Sequence, residues 1–155
     1  MKIYYSISLI IIALDQWTKN LAVKELADGF IKVTEFFSLI LAYNKGAAFS
    51  FLSDAGGWQR WFFTAIAGGV SVVLIIWIYR LKQHEKLLAI ALALVLGGAI
   101  GNLYDRVMLG HVVDFILVHY QDNYFPAFNI ADSAISVGAV LLIVDAFFQG
   151  KENRE

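Results

Sequence analysis

Residues 87–106 of the chain are LLAIALALVLGGAIGNLYDR, and this run decides the class of fold. Leu87 to Tyr104 carry no charge. A helix of about 20 apolar residues is long enough to cross the hydrocarbon core of a bilayer, where every backbone polar group must be bonded within the protein. The run then ends in two charged residues, Asp105 and Arg106. The sequence therefore predicts a transmembrane helix with a polar end.

The rest of the chain repeats this apolar pattern three times. Of the 155 residues, 59% are hydrophobic and only 16% are charged, whereas about 25% are charged in soluble domains. The four apolar spans are about 3–23, 61–79, 87–104 and 130–148. They predict a single integral membrane domain over residues 1–155, an all-α membrane protein with four transmembrane helices. The first span follows Lys2 as a signal peptide would, but no small-residue cleavage site follows it, so we expect a permanent helix.

The composition excludes several kinds of site. The chain has no cysteine, which excludes disulfides, thiol nucleophiles and metal sites built from cysteine. The formal net charge of −1 gives no indication of nucleic-acid binding. The candidate functional groups are therefore the carboxylates, amides and histidines that interrupt the apolar pattern.

The distribution of basic residues predicts how the helices are oriented. Basic residues are densest in the short link between the second and third spans and near the termini: Arg80, Lys82, Lys86, Lys2, Lys151 and Arg154. Short basic loops stay on the cytoplasmic side of a membrane. We therefore expect both termini in the cytoplasm, and the two long connections, about 24–58 and 105–129, on the outer side.

The first outer connection has a composition typical of strands. Residues 30–43, FIKVTEFFSLILAY, are rich in β-branched and aromatic residues and are followed by Asn44-Lys45-Gly46. This pattern predicts one or two strands that end in a turn, within a small strand-rich outer subdomain. Residues 49–58 predict a short interfacial segment with aromatic anchors. The subdomain either packs as a cap over the helices or lies on the lipid surface, and the two arrangements are compatible.

Two aspartates, Asp114 and Asp132, are the leading candidates for chemistry. Asp132 lies three residues after Asn129 at the start of the fourth span, a spacing that also fits helix capping. Asp114 lies among apolar residues, which is unusual for a solvated aspartate on a loop. Two adjacent carboxylates share a proton, and a low dielectric raises the pKa of one of them. One can then activate a water while the other donates to a carbonyl, as in an aspartic protease.

Other polar residues are candidates for a supporting role. Asp15 and Lys19 lie four residues apart on one helical face, as do Asn102 and Arg106. One interpretation is a set of buried ion pairs among these charged groups and their neighbour: Asp15, Lys19, Asp105 and Arg106. The other interpretation is that they position the aspartates or the lipid headgroup. Asp145 lies about 13 residues, or roughly 20 Å, along the helix from Asp132, so we expect it at the cytoplasmic end without a catalytic role.

Several rival sites have less support from the sequence. Two H-x-x-D pairs, His111 with Asp114 and His119 with Asp122, carry zinc-ligand types, but their spacing matches no helical zinc motif. Ser133 directly follows Asp132, and no nucleophile elbow surrounds it. A small ion-coupled membrane carrier would place its acids near mid-membrane between repeated halves. A non-catalytic factor that binds lipid or precursor proteins would tolerate replacement of either aspartate.

Four blocks, in order along the chain, give it a specific resemblance. They are DQWTK at 15–19, YNKGAAF at 43–49, GGAIGNLYDR at 97–106 with GHVVDF at 110–115, and FNIADS at 128–133. Together they resemble the bacterial lipoprotein signal peptidases (signal peptidase II). The resemblance implies an intramembrane aspartic endopeptidase of the bacterial cytoplasmic (inner) membrane. Such an enzyme removes the signal peptide from diacylglyceryl-modified prolipoproteins, cutting just before the lipidated cysteine.

The resemblance also assigns roles to residues of this chain. Asp114 and Asp132 correspond to the catalytic pair. The positions that support the substrate and the pair are Asn44, Gly46, Asn102, Arg106, Asn129 and Ala131, and those with a more structural role are Asp15, Lys19 and Asp105. No metal or organic cofactor is implied. The implied partners are prolipoproteins, membrane phospholipid and inhibitory cyclic peptide antibiotics, and we expect a monomer whose active site lies at the outer face of the membrane.

Overall fold

The structure is a computed structural model of the chain and describes residues 2–45 and 58–152. Gly46 and residues 49–57 of the predicted interfacial segment lie outside the described residues. Each apolar span forms a long helix. The helices are α1 (Lys2–Glu25), α2 (Trp58–Arg80), α3 (Lys86–Met108) and α4 (Ile130–Glu152).

Three of the described helices, α2, α3 and α4, are long and apolar enough to cross a membrane. The apolar stretches are Arg60–Arg80, Lys86–Met108 and Ile130–Phe148. Helix α1 is of similar length, but Asp15, Gln16 and Lys19 interrupt its apolar run, and it is not among the three. Helix α3 continues to Met108 rather than ending near Tyr104, because the polar residues of its last turns bond inside the protein.

Helix α3 lies at the centre and packs against the other three helices. Its buried face packs in a core that includes Ile78, Leu92 and Leu96. Small residues bring the helices close together near the polar end of α3. A Cβ on Gly98 would overlap the carbonyl oxygen of Ala131, and a Cβ on Gly101 would lie 2.7 Å from Asp15 Oδ2. The absence of side chains there lets α1 and α4 approach the polar end of α3.

The outward faces of α2 and α4 are apolar and are not covered by other described parts of the protein. Exposed side chains on these faces include Val72, Val73 and Trp77 of α2 and Val137, Val140 and Ile143 of α4. An apolar surface of this extent is expected to contact another apolar phase, because soluble proteins rarely expose such contiguous patches. This arrangement is that of a membrane protein whose helices face lipid.

Two segments far apart in the chain form a small antiparallel sheet. Its strands, in spatial order, are β1 (Ile31–Lys32), β2 (Phe37–Asn44), β3 (Val112–Tyr120) and β4 (Asn123–Tyr124). The prediction of strands in residues 30–43 is confirmed. The placement of Asp114 on a loop is wrong, because β3 pairs with β2 and sets Asp114 opposite Ala42. The β-branched and aromatic run from Val112 to Tyr120 is itself a signal for a strand.

The sheet packs against the C-terminal end of α1. Phe115 of β3 forms a small apolar core with Ala22 and Leu26 of α1. Strand β3 is thereby fixed to α1 through Phe115, while Asp114, the preceding residue, points to the opposite face of the sheet. The packed-cap arrangement is therefore observed. The sheet also exposes apolar side chains near its edge, namely Phe30, Ile31, Val33 and Phe36, and their contact with a lipid surface stays a prediction.

Candidate active site

The structure brings Asp114 and Asp132 to one buried polar cluster. Asp114 is 2% exposed, and its Oδ1 accepts a hydrogen bond from Asn129 Nδ2 at 2.7 Å. Its Oδ2 accepts one from Asn44 Nδ2 at 3.2 Å. Asp132 Oδ1 accepts a hydrogen bond from Asn102 Nδ2 at 2.7 Å. Three amide side chains from β2, α3 and the residue before α4 therefore hold the two carboxylates.

Asn129 is the residue that bridges the pair. Its side-chain Oδ1 accepts from the backbone N–H of Asp132 at 2.9 Å, and its own backbone N–H donates to Asp132 Oδ2 at 3.2 Å. This reciprocal pair is a capping box at the start of α4. The capping interpretation is thus confirmed, and it does not compete with a chemical role. The cap fixes Asp132, and the Nδ2 of the same side chain reaches Asp114.

A buried cluster of charges is linked to the two aspartates through Asn102. Lys19 Nζ contacts Asp15 Oδ2 at 2.7 Å and Asp105 Oδ2 at 2.9 Å, and it donates to Asn102 Oδ1 at 2.9 Å. Lys19, Asp15 and Asp105 are only 2%, 0% and 1% exposed. The three N–H groups of the ammonium match these three acceptors, so the buried cation is fully bonded. Ion pairing among the predicted residues is therefore confirmed for these three.

Arg106 departs from that prediction. Within the described residues its guanidinium makes no salt bridge. It donates from one terminal nitrogen to the carbonyl oxygen of Asn102 at 3.4 Å and lies 5.8 Å from the centre of the Phe63 ring. Its Nε is buried without a hydrogen-bond partner in the described part of the chain. Helical spacing placed Asn102 and Arg106 on one face of α3 but did not show which helix packs beside Asp105. The cation that pairs with Asp105 is Lys19 of α1.

The carboxylates of the buried cluster also bond to the backbone. Asp15 Oδ1 accepts from the N–H of Ala131 at 2.9 Å, and Asp105 Oδ2 accepts from the N–H of Val113 at 3.1 Å. Sequence reasoning missed Gln16, whose Nε2 donates to Asp105 Oδ1 at 2.8 Å. Its only sequence signal was its position next to Asp15. Ala131 is fully buried, and its small side chain suits the close packing against α3.

Electrostatics separate the two aspartates. Burial, followed by the negative charge of Asp132, raises the pKa of Asp114 to about 6, against the hydrogen bonds from Asn44 and Asn129 and the charge of Lys19. Asp114 therefore holds a proton well above the ordinary titration range of aspartate. Asp132, in the first turn of α4, lies where a helix favours negative charge. One protonated and one ionised carboxyl group are what acid–base hydrolysis by a pair requires.

The residues of the rival sites make other contacts. His111 packs edge-on against Tyr43, with ring centres 4.5 Å apart, and His119 packs against Tyr124 at 5.3 Å. No group of three potential metal ligands is placed to hold an ion in the part of the chain described. The Ser133 hydroxyl donates to the carbonyl oxygen of Asn129 at 2.9 Å. The geometry of the described residues therefore supports neither the zinc hypothesis nor the serine-triad hypothesis.

Comparison with known proteins relates most of the chain to one protein family. The profile of the signal peptidase (SPase) II family matches residues 7–148. A lipoprotein signal peptidase of Ectopseudomonas mendocina is 57% identical over 152 residues, covering 96% of this chain and 90% of that protein. A lipoprotein signal peptidase of Pseudomonas putida is 59% identical over 144 residues, covering 91% of this chain and 84% of that protein.

Solved structures with the same fold are also known. A bacterial membrane enzyme determined by the in meso method at 2.3 Å resolution has a TM-score of 0.84 and 30% identity, covering 100% of this chain and 93% of that one. A second such enzyme, at 1.9 Å resolution, has a TM-score of 0.80 and 31% identity, covering 93% and 92%. The arrangement of helices and sheet is therefore that of a bacterial membrane enzyme.

Proposed function

The chain belongs to the signal peptidase II family, the lipoprotein signal peptidases, and from that premise we propose that Asp114 and Asp132 are its catalytic pair. The protein is a protease that cleaves signal peptides from prolipoproteins. The observation that carries the assignment is Asn129, which hydrogen-bonds both carboxyl groups, one on β3 and one on α4. Folding alone does not require a buried acid, Asp114, and a half-buried acid, Asp132, to share one hydrogen-bonding partner, because their repulsion is costly.

The pair hydrolyses the peptide bond by acid–base chemistry. Asp132, ionised, takes a proton from a water molecule, and the resulting hydroxide attacks the scissile carbonyl carbon. Asp114, protonated, donates to the carbonyl oxygen as negative charge develops there. As the tetrahedral intermediate collapses, Asp114 takes back a hydroxyl proton, the C–N bond breaks, and the departing amine takes from Asp132 the proton that came from water. Asn44, Asn102 and Asn129 hold the carboxyl groups in place through these steps.

The substrate suits the position of the site. A prolipoprotein that carries diacylglycerol on its cysteine has its cleavage site at the membrane interface, and we propose that the bond cut is the one just before that cysteine. Asp132 lies at the first turn of α4 and Asp114 in the adjoining sheet. Water reaches such a position more readily than the bilayer centre. Gly46 and Arg106 are assigned to the substrate side of the site by the family motif alone.

The membrane topology follows from the same placement. We propose that α1 is a fourth transmembrane helix, that both termini are cytoplasmic, and that the pair faces the outer side of the inner membrane. Helix α1 has the length required, and the charged residues in its apolar run, Asp15 and Lys19, are buried and paired with each other rather than exposed to lipid. The proposed protein is a single-domain monomer in phospholipid, and cyclic peptide antibiotics of the kind that inhibit the family would bind between the two aspartates.

The direct test of this function is cleavage by purified protein in detergent or liposomes. The expected products from a diacylglyceryl-modified prolipoprotein are a free signal peptide and a fragment whose first residue is the lipidated cysteine, both identified by mass. The same precursor without lipid is the control and is expected to be cut poorly. Equal cleavage of both precursors, or a cut elsewhere, would contradict the proposed substrate. A carrier or binding factor would give no cleavage at all.

A further inference from the structure

The two carboxylates of the buried cluster are placed in the same way with respect to the catalytic pair. Asp15, on α1, accepts the backbone N–H of Ala131, the residue before Asp132. Asp105, on α3, accepts the backbone N–H of Val113, the residue before Asp114. Each element that carries an aspartate of the pair is therefore anchored one residue before it. The two anchors are themselves joined by a single cation.

That cation, Lys19, also determines the orientation of an amide. An ammonium group has only donors, so the side-chain atom of Asn102 that lies 2.9 Å from Lys19 Nζ is the oxygen. The amide nitrogen of Asn102 must then face the other way, and it lies 2.7 Å from Asp132 Oδ1. Lys19, together with Asn129 Nδ2, which donates to the same oxygen at 3.2 Å, thereby keeps the donor of Asn102 turned toward Asp132.

We infer that Lys19 is a positioning residue for the hydrolysis: it fixes the Asn102 amide toward Asp132 and joins the two anchors that set the spacing of the pair. The inference rests on the proposed function of Asp114 and Asp132. Lys19 itself contacts neither aspartate of the pair and is 2% exposed. It acts through Asn102, Asp15 and Asp105. Its loss should therefore alter turnover rather than substrate affinity.

The charges around the pair give the inference a pH signature. The cations that interact electrostatically with the pair are Lys19 on α1 and Arg106 on α3. Asp15 and Asp105 contact Lys19 directly. The charge of Lys19 lowers the pKa of Asp114, in opposition to burial and to Asp132. Removal of that charge raises the pKa of Asp114. The midpoint of the pH–activity profile that Asp114 sets should therefore move to higher pH.

The test compares Lys19→Met with Lys19→Gln in the full-length protein, with a diacylglyceryl-modified prolipoprotein as substrate. Both variants lose the charge, but glutamine keeps an N–H group that can hold the Asn102 oxygen. We expect Lys19→Met to lose about tenfold or more in kcat while its KM stays within about twofold of the wild-type value. The pH midpoint that Asp114 sets should rise by about half a unit or more. Lys19→Gln should keep more of the wild-type kcat. Wild-type kcat and pH midpoints in folded Lys19→Met would overturn the inference.

A second comparison covers the case in which Lys19→Met does not fold. Removal of the cation alone leaves two buried carboxylates facing each other, which is strongly destabilising. The double variant Asp15→Asn/Lys19→Met removes one charge of each sign. Against Asp15→Asn alone, we expect it to lose kcat further, and an equal kcat would overturn the inference. Activity retained in Asp114→Asn would instead overturn the proposed function, whatever the Lys19 variants do.

Discussion

Replacement of Asn129 by serine separates the two roles of that residue. Serine is about as good an N-cap as asparagine, so α4 should keep its capping bond to the N–H of Asp132. The shorter side chain does not reach Asp114, and the 2.7 Å bond from Asn129 Nδ2 to Asp114 Oδ1 is lost. The longer 3.2 Å contacts of the same nitrogen with Asn102 Oδ1 and the Val113 carbonyl oxygen are lost with it. The substitution therefore removes the bridge and leaves the helix start intact.

The size of the effect follows from the type of bond. A hydrogen bond to a charged group contributes about 1.5–3 kcal/mol. If that bond holds the pair in its reactive geometry, kcat/KM should fall by about 10- to 150-fold. The loss of a donor also raises the pKa of Asp114, since the Asn129 bond is one of the contacts that lower it. The acidic pair should then titrate at higher pH.

The assay is steady-state cleavage of lipidated prolipoprotein over a range of pH, together with thermal unfolding in detergent. We expect Asn129→Ser to unfold within a few degrees of the wild type while its kcat/KM falls. Asn123→Ser, on the exposed strand β4, is the matched control and should change neither quantity. An Asn129→Ser protein with wild-type kcat/KM would refute the bridging role. A large loss of stability without loss of specific activity would show that Asn129 acts only as a helix cap.

Three further substitutions test separate parts of the account. A carboxyl group whose pKa is raised to about 6 in the folded protein costs stability once it is ionised. Asp114→Asn should therefore gain up to about 3 kcal/mol of unfolding stability relative to wild type as the pH rises from about 4 to 8. Thermal unfolding measures the difference, and a difference independent of pH would contradict this. Gly98→Ala should cost about 1–3 kcal/mol and most activity, because its Cβ meets the Ala131 carbonyl, whereas Gly69→Ala, with open space around it, should do neither. Arg60→Met should lower unfolding stability by about 1–3 kcal/mol through the loss of two 2.7 Å bonds to the last carbonyls of α3, and an unchanged unfolding temperature would show that α2 does not hold that end.

The helices and the catalytic candidates were accessible from the sequence because their signals are local. An uncharged run such as Leu87 to Tyr104 predicts its own helix, and the Asn129–Asp132 spacing predicts its own cap. Strand β3 was missed for the opposite reason. Its identity depends on pairing with β2, about seventy residues earlier in the chain, and the two histidines that flank Asp114 drew attention to loop-borne metal ligands.

The buried charge cluster marks the limit of helical spacing as a guide. The spacing of Asp15 and Lys19 predicted that they pair, and they do. The sequence placed Asp105 in the same set of ion pairs without showing that its partner would be Lys19, on another helix. It did not predict that Arg106 would face Phe63. Helical periodicity shows which residues share a face, but the neighbour of that face is set by how the helices pack. Contacts of this kind are visible only in the folded protein.

The central claim is that Asp114 and Asp132 together perform the hydrolysis. The measurement that tests it most directly is cleavage of a diacylglyceryl-modified prolipoprotein by wild type, Asp114→Asn and Asp132→Asn, with Asp145→Asn as a control from the far part of α4. Each variant is first checked for folding by thermal unfolding. We predict that both single variants of the pair lose cleavage while the control keeps it, in the presence of a metal chelator. Wild-type cleavage by either folded Asp114→Asn or folded Asp132→Asn would contradict the account.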